Sequence, residues 1–482
     1  MGIPMTFVPP DFVSVMPEIF VLSMACAVLV IDVFLKDEQR GITFGLCQLT
    51  LLGALLLTLI GYGTDTTVTF NGHFIRDAMG DVLKVGIYVA IAMVLLFSRD
   101  YLIARGIHRG EYYVLALLGV LGMMVMVSAA SFLTAYLGLE LLSLSLYALV
   151  AFDRDNAQCS EAAMKYFVLG ALASGMLLYG ISMIYGTTGS LDLRVVAGAA
   201  IENRDGSLLP ALGVAFLVVG LAFKLGAVPF HMWLPDVYQG APTSVTLYVG
   251  SAPKLAAFAL LMRILVEGLG GLESDWQQML IVLSVLSIAV GNVIAIAQTN
   301  IKRMLAYSTI SHVGFILLGI IAGTADGYSA AMFYALTYVL TTVGSFGIII
   351  LAGRSGCEVE NIQDLRGLND RSPWFAFLML VMMMSTAGIP FLVGFYAKFA
   401  VLMAIVNVGM VGLAVYAVVL SVVGAFYYLR VVKVMYFDKS EDSIPILAAL
   451  DTKIVIGANG LILILLGLYP TGLMGVCISA LQ

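Results

Sequence analysis

The run Leu217-Val-Val-Gly-Leu-Ala-Phe-Lys224-Leu-Gly-Ala-Val-Pro229-Phe-His231-Met-Trp-Leu-Pro-Asp236 decides how this chain is built. Its first half is continuously apolar, with none of the alternation a membrane-barrel strand needs, and so reads as a transmembrane helix. Lys224 stands inside that apolar run, and Pro229 follows five residues later. A charge at mid-bilayer costs about 2.5–3.5 kcal/mol on insertion scales, so it persists where it faces protein or trapped water. Proline removes a backbone donor and disfavours helix at the residue before it. Broken helices are tolerated in membranes where they line polar cavities. The stretch predicts a broken transmembrane helix that presents a buried cation.

The rest of the chain has the same character. Its 482 residues are 61% hydrophobic and 11% charged, too few charges to coat a soluble body of this size. The net charge of -6, with no basic stripe, excludes a nucleic-acid partner. Cys26, Cys47, Cys159, Cys357 and Cys477 are scattered singly, without CxxC or CxxCH spacing. They read as small core residues rather than ligands of iron-sulfur, haem or zinc. His73, His108, His231 and His312 are equally isolated, and neither a Walker A loop nor a GxGxxG after a strand occurs, so no cofactor is expected in this chain. No basic region followed by a cleavage site opens the chain, so no removable signal peptide is expected.

Apolar blocks fall at 13–35, 41–62, 79–98, 112–128, 131–151, 162–185, 208–232, 243–266, 276–297, 301–322, 328–352, 373–405, 409–437 and 451–478. The expected class is an all-α polytopic membrane protein of about fourteen spans. Connections after odd-numbered spans carry fifteen cations: Lys36, Arg40, Arg99, Arg105, Arg109, Arg154, Lys302, Arg303, Arg354, Arg366, Arg371, Arg430, Lys433, Lys439 and Lys453. Those after even-numbered spans carry four: Arg76, Arg194, Arg204 and Arg263. The positive-inside rule then puts the odd connections in the cytoplasm and both termini on the outer, periplasmic side of a bacterial inner membrane.

Five lysines lie within spans or near their ends: Lys84, Lys165, Lys224, Lys254 and Lys398. Lys84, beside Asp81, reads as a snorkelling side chain. The other four sit in apolar runs, and only one acid, Glu140, stands at the centre of a span. One reading is a static ion pair that fixes helix register. It accounts for one lysine and leaves three. The other is a relay, since burial favours the neutral amine, a nearby carboxylate favours the charged one, and lysines joined by water can hand protons on. His231 and His312 can pass protons or serve as hydrogen-bonded structural residues.

Pro390, eight residues before Lys398, marks a second break five spans after the first. Paired breaks hint at internal repeats. The expected organisation is a three-helix segment over 1–110, a five-helix unit over 111–272, a second, inverted five-helix unit over 273–438, and a C-terminal helix over 439–482. Lys224 and Lys398 would then hold the same place in each unit. Two ordinary proline kinks are the alternative.

With these residues in view, the chain resembles the antiporter-like membrane subunits of respiratory complex I, NADH:quinone oxidoreductase, most closely the subunit N branch. The likeness is carried by Glu140, by Lys224 with Ala227-Val-Pro-Phe-His-Met-Trp-Leu-Pro-Asp-Val-Tyr-Gln-Gly-Ala-Pro242, by Lys254, and by Lys302-Arg-Met-Leu-Ala-Tyr-Ser-Thr-Ile-Ser-His312. Pro17-Glu18, Leu365-Arg-Gly-Leu368 and a lysine rather than glutamate at 398 point to the branch. The resemblance implies a proton-channel subunit of the membrane arm, with antiporter-like paralogues as partners and FMN, iron-sulfur clusters and quinone held by other subunits. It implies that Glu140 partners Lys224, that Lys254 and Lys398 continue a hydrophilic axis, and that Lys165, His231 and His312 are auxiliaries. A stand-alone or Mrp-type cation/proton antiporter shares these lysines and breaks, and is the second reading. A solute carrier of unrelated fold is the third.

Overall fold

The computed structural model describes residues 9–63, 65–202, 208–353, 358–439 and 445–481, with the side chains of 200–202 outside that description. Arg204, Arg354 and Cys357 therefore fall outside the described residues, as does the N-terminal stretch read for a signal peptide up to residue 8. Helices α1 (Met16–Phe34), α2 (Arg40–Ile60), α3 (Ala78–Ala104), α4 (Gly110–Val127), α5 (Phe132–Val150) and α6 (Ala157–Thr188) come first. The short α7 (Leu193–Glu202) precedes α8 (Leu208–Leu225), α9 (Trp233–Gly240), α10 (Thr243–Gly250) and α11 (Pro253–Leu261). Then follow α12 (Glu273–Ala297), α13 (Ile301–Ile321), α14 (Ala325–Ala352), α15 (Leu368–Arg371), α16 (Pro373–Ala387), α17 (Val393–Asn407), α18 (Val411–Phe437), α19 (Leu450–Leu468) and α20 (Thr471–Leu481).

Among the described residues thirteen helices are long and apolar enough to cross a membrane, with α10, α11 and the turn after them counted as one span, Thr243–Gly268. The block expected at 373–405 is instead two shorter apolar helices, α16 and α17. The block at 451–478 also divides, into α19 and α20, because Pro470 cannot continue a helix. The all-α expectation misses one hairpin in the α2–α3 connection. Its strands β1 (Thr67–Thr69) and β2 (Phe74–Arg76) pair antiparallel with Val68 opposite Ile75. Asn71 and Gly72 take positive φ in its turn, as Asn-Gly does between β-branched and aromatic residues.

Small residues set the tightest crossings. A Cβ on Gly122 of α4 would stand 2.6 Å from the Leu142 nitrogen of α5, and one on Gly138 of α5 would stand 2.7 Å from the Met126 nitrogen of α4. The α12–α13 crossing repeats the device: a Cβ on Gly291 would meet the Ser311 nitrogen at 2.6 Å. Without a hydrophobic drive between helices in lipid, such close backbone packing supplies the association energy. Helices α13 and α14 form the buried centre, while α1, α2, α18 and α19 sit at the rim with much of their apolar surface outward. The rim includes Cys26, which lies exposed on α1 rather than in the core. Cys47, Cys159 and Cys477 are buried, as expected.

Candidate functional site

Two interrupted helices position the site. Helix α8 ends at Leu225, the chain turns through Gly226 at φ +82° and Pro229, and helix resumes at Trp233. Helix α16 ends at Ala387, turns through Gly388 at φ +85° and Pro390, and resumes at Val393. Each interruption leaves backbone carbonyls without helical partners. A lysine answers both: Lys254 Nζ donates to Leu225 O at 2.9 Å, and Lys398 Nζ donates to Ala387 O at 3.0 Å. Cations are favoured at a helix C-terminus by its partial negative charge. Lys398 also donates to Ser421 Oγ at 2.9 Å, and each ammonium lies over an aromatic ring, Trp233 for Lys254 and Phe315 for Lys398.

This arrangement corrects the expected correspondence of Lys224 and Lys398. Lys224 lies in the last turn of α8, before its break, whereas Lys398 follows its break. By the carbonyl it caps, the counterpart of Lys398 is Lys254. Lys224 instead donates to Ser143 Oγ, and Glu140 accepts from Ser174 Oγ. The direct Glu140–Lys224 ion pair implied by the resemblance is not formed. Two serine hydroxyls occupy the contact positions: Ser143, three residues from Glu140 on the same helix, receives Lys224 and itself donates to Leu139 O, while Ser174 of α6 serves Glu140. A cavity of about 20 Å³ lined by Ser143, Tyr166, Lys224, Trp233 and Lys254 joins the two lysines. That is room for one water with several polar partners.

A second cavity of about 20 Å³ is lined by His312, Tyr334, Tyr338, Ser385, Thr386, Gly394 and Ala397, beside the α16–α17 break. His312 is buried, with Nδ1 hydrogen-bonded to Tyr334 Oη at 2.6 Å and Nε2 to Tyr428 Oη at 3.0 Å. A neutral imidazole donates through one nitrogen and accepts through the other, so the two tyrosines face it in opposite roles. Tyr428 is in turn hydrogen-bonded to Ser308. His231 lies in the first break with its ring 6.5 Å from Tyr307, and among the described residues no hydrogen bond joins it to a lysine.

Lys165 is a correction. It is not buried in an apolar run but half-exposed near the start of α6, paired with Glu161 at 2.7 Å and Asp236 at 2.9 Å. Asp236 also accepts from Arg303 at 2.6 Å, so these four charges form one cluster at the N-terminal ends of α6, α9 and α13. Lys84 is another correction: rather than snorkelling it is 1% exposed and bonded to the buried Glu18 at 2.5 Å. Arg263, assigned above to a connection, is fully buried in the π-helical turn Met262–Gly268. It binds both oxygens of Asp77, at 2.6 and 2.7 Å, and Glu267 at 2.7 Å. Burial works to raise the Asp77 carboxyl, and the Arg263 guanidinium outweighs it, holding the group below its ordinary value. Ser143 and Ser174 were not singled out from sequence, Glu18 was quoted only as a marker of the branch, and Arg263 was counted only as a connection cation. The signal available for Arg263 was its apolar surroundings, Leu260-Leu-Met-Arg263-Ile-Leu-Val266.

A helical bundle with two interruptions at proline, lysines on the freed carbonyls and small cavities between polar groups defines an antiporter-like membrane protein. The family described as NADH:quinone oxidoreductase/Mrp antiporter, transmembrane part, matches residues 129–424. NADH-quinone oxidoreductase subunit N of Thioalkalivibrio sulfidiphilus is 62% identical over 479 residues, 99% of this chain and 100% of the relative. The subunit of that name from Thiobacillus denitrificans is 57% identical, covering 98% of each chain. Among solved structures, a chain of respiratory complex I from Thermus thermophilus with bound aureothin superposes with TM-score 0.83 at 32% identity, over 96% of this chain and 100% of that one. A chain of the Mrp complex from Dietzia superposes at TM-score 0.82 with 21% identity, over 98% of this chain and 97% of that one, a likeness of fold alone. The chain belongs to the NADH-quinone oxidoreductase subunit N family.

Proposed function

We propose that this chain is a proton-translocating membrane-arm subunit of NADH:quinone oxidoreductase. Protons pass along Glu140, Lys224, Lys254, His312 and Lys398, with single waters between them, and quinone reduction in other subunits drives the transfer. The observation that carries this reading is the one-water cavity shared by Ser143, Lys224 and Lys254. It lets a proton leave one ammonium and reach the next amine without crossing hydrocarbon. Lys165, with Asp236 and Arg303, stands at the polar end of this row and serves as an auxiliary.

The proposal extends to architecture and setting. The two short helices α16 and α17 act as one broken span, giving fourteen crossings. The glycine crossings α4–α5 and α12–α13, five spans apart, support two inverted five-helix units over 111–272 and 273–438. Both termini face the periplasm of a bacterial inner membrane. The other membrane-arm subunits, including antiporter-like paralogues, are its partners, and FMN, iron-sulfur clusters and quinone reside in other subunits.

The test is Lys224→Ala in the assembled complex, with protons pumped per NADH measured in inverted vesicles. The expected result is a complex of normal flavin content whose proton-to-electron ratio is lowered. An unchanged ratio would sink the relay, and Na⁺/H⁺ exchange by the isolated chain would hand the function to the antiporter reading.

A further inference from the structure

Two cavities lie in line along the groove between α6 and α9. The outer one, of about 180 Å³, is lined by Gln158, Glu161 and Lys165 of α6 and by Asp236 and Gln239 of α9. Gln158, Glu161 and Lys165 are exposed, so this is an open polar vestibule, at the end of the bundle that holds the Lys165–Asp236–Arg303 cluster. The inner one is the small cavity shared by Lys224 and Lys254. One helical turn separates them on each helix. Ala162 lines the vestibule and Tyr166, four residues on, lines the inner cavity; Asp236 lines the vestibule and Trp233, three residues back, lines the inner cavity. A turn rises about 5.4 Å, so a single layer of side chains divides the two.

That layer is aromatic. The buried rings of Tyr166 and Trp233 stack with centroids 4.5 Å apart and planes 11° from parallel. Tyr147 packs edge-on against Tyr166 at 4.7 Å, and Phe223 flanks the indole at 5.5 Å. Ring faces offer a file of water no ordinary hydrogen bonds, so the closed stack parts the vestibule from the lysines. Two contacts hold the indole: Nε1 donates to Phe223 O at 2.9 Å, and the Lys254 ammonium lies 5.6 Å from the ring centroid. The first is a backbone contact that no titration alters. The second depends on charge, because the ring quadrupole attracts an ammonium and not a neutral amine.

We propose that the Tyr166–Trp233 stack is a valve between the vestibule and the lysine cavity, latched by the charge on Lys254. While Lys254 holds its proton, the ammonium keeps the indole in place and the stack stays closed. Once Lys254 has passed the proton on, the neutral amine frees the indole, the stack parts, and water from the vestibule reaches the cavity. The water that protonates the amine takes a proton in turn from the vestibule, so only a proton moves and no oxidant or reductant is needed. The recharged ammonium then closes the stack behind it, which keeps the loaded relay from leaking backward. This inference rests on the proposed function.

The experiment places a cysteine behind the stack, at Leu146, which is buried and lines the inner cavity. In assembled complex whose chain has its own five cysteines replaced and carries Leu146→Cys, inverted vesicles are treated with a small water-soluble methanethiosulfonate, and modification of this chain is followed by mass spectrometry. Reaction is expected to be slow with the parent stack, with Tyr166→Phe, which keeps the ring, and with Lys254→Arg, which keeps the charge. It should quicken on the order of tenfold with Tyr166→Ala and with Lys254→Met, the size of an aromatic or cation–π contact. Tyr166→Leu takes the place of Tyr166→Ala if the alanine variant fails to assemble. Equal rates for Tyr166→Ala and Tyr166→Phe overturn the valve, and equal rates for Lys254→Met and Lys254→Arg overturn its latch. Neither rate depends on pumping, so the two readings fail separately: an unchanged proton-to-electron ratio in Lys224→Ala overturns the relay, whatever the cysteine reports.

Discussion

Glu18 and Lys84 show what a single residue can hide. They stand 66 positions apart, are 4% and 1% exposed, and meet at 2.5 Å, with Phe74 flanking the ammonium. A lysine near a span end has two outcomes in a membrane: the long stem lets the charge reach the interface, or a partner on another helix holds it inside. The difference lies in tertiary packing, so the local sequence around Lys84 does not reveal it. Breaking such a pair by removing one member leaves an uncompensated buried charge, at a cost of about 3–5 kcal/mol, whereas removing both is often nearly neutral. Lys84→Met is therefore expected to lower the thermal midpoint of the assembled complex sharply, and Lys84→Met combined with Glu18→Gln to recover most of the loss. A double variant as unstable as the single one would show that Lys84 acts through something other than this pair.

Whole elements are held in the same way at the other end of the bundle. Glu358, in the segment between α14 and α15, accepts from Tyr101 of α3, from Thr243 Oγ1 at 2.9 Å at the start of α10, and from Lys302 Nζ at 2.9 Å at the start of α13. Burial alone would raise this carboxyl, but Lys302, the Tyr101 hydroxyl and Arg105 outweigh it and hold it at about 2, against an ordinary value of 4.5. A depressed carboxylate contributes its full stability above pH 4.5 and loses it as pH falls toward 2. The size is roughly 3 kcal/mol at 1.36 per unit. Glu358→Gln should be less stable than the parent at pH 7 and should lose less on acidification from pH 5 to 3, as read by thermal midpoints across that range. Parallel curves would remove Glu358 from the acid limb. At this scale the sequence was legible where proline writes the geometry: the interruptions at Pro229 and Pro390 follow from a missing donor and a steric clash. The same signal stands at Ser251, where Gly250 and Pro253 flank the interruption; no such signal marks the π-helical turn Met262–Gly268, from which Arg263 reaches Asp77 ahead of α3. Whereas Lys165 and Lys84 were not read correctly, Lys224, Lys254, Lys398 and Glu140 were legible as misplaced charges. The serines that receive them were not, because a hydroxyl in an apolar helix commonly bonds its own backbone.

For the molecule as a whole, the charge asymmetry of the connections can be set against the contacts those connections make. Arg99 of α3 meets Asp451 of α19 at 3.1 Å, Arg105 meets Glu358 at 3.8 Å, and Asp236 of α9 gathers Lys165 of α6 and Arg303 of α13. All these belong to connections after odd-numbered spans or to the broken span leading into that face. At the opposite ends lie Arg76 with Asp81, Arg263 with Asp77, and Arg194 with Asp192. Among the described residues the two sets of ion pairs do not mix, as helices crossing once each would give. In the proposed orientation the cation-rich set faces the cytoplasm. Three helices, α4, α5 and α6, separate Ile107 from Ser190, so an odd number of crossings must put these two residues on opposite sides. In a chain whose own five cysteines are replaced, Ser190→Cys is expected to react with a membrane-impermeant maleimide on intact cells, and Ile107→Cys only in inverted vesicles. Reversed labelling would turn the bundle over, moving the Lys165–Asp236–Arg303 cluster to the outer face while leaving the relay intact. Labelling of both residues from one side would mean that one of the three helices does not cross, and with it the first five-helix unit would lose its shape.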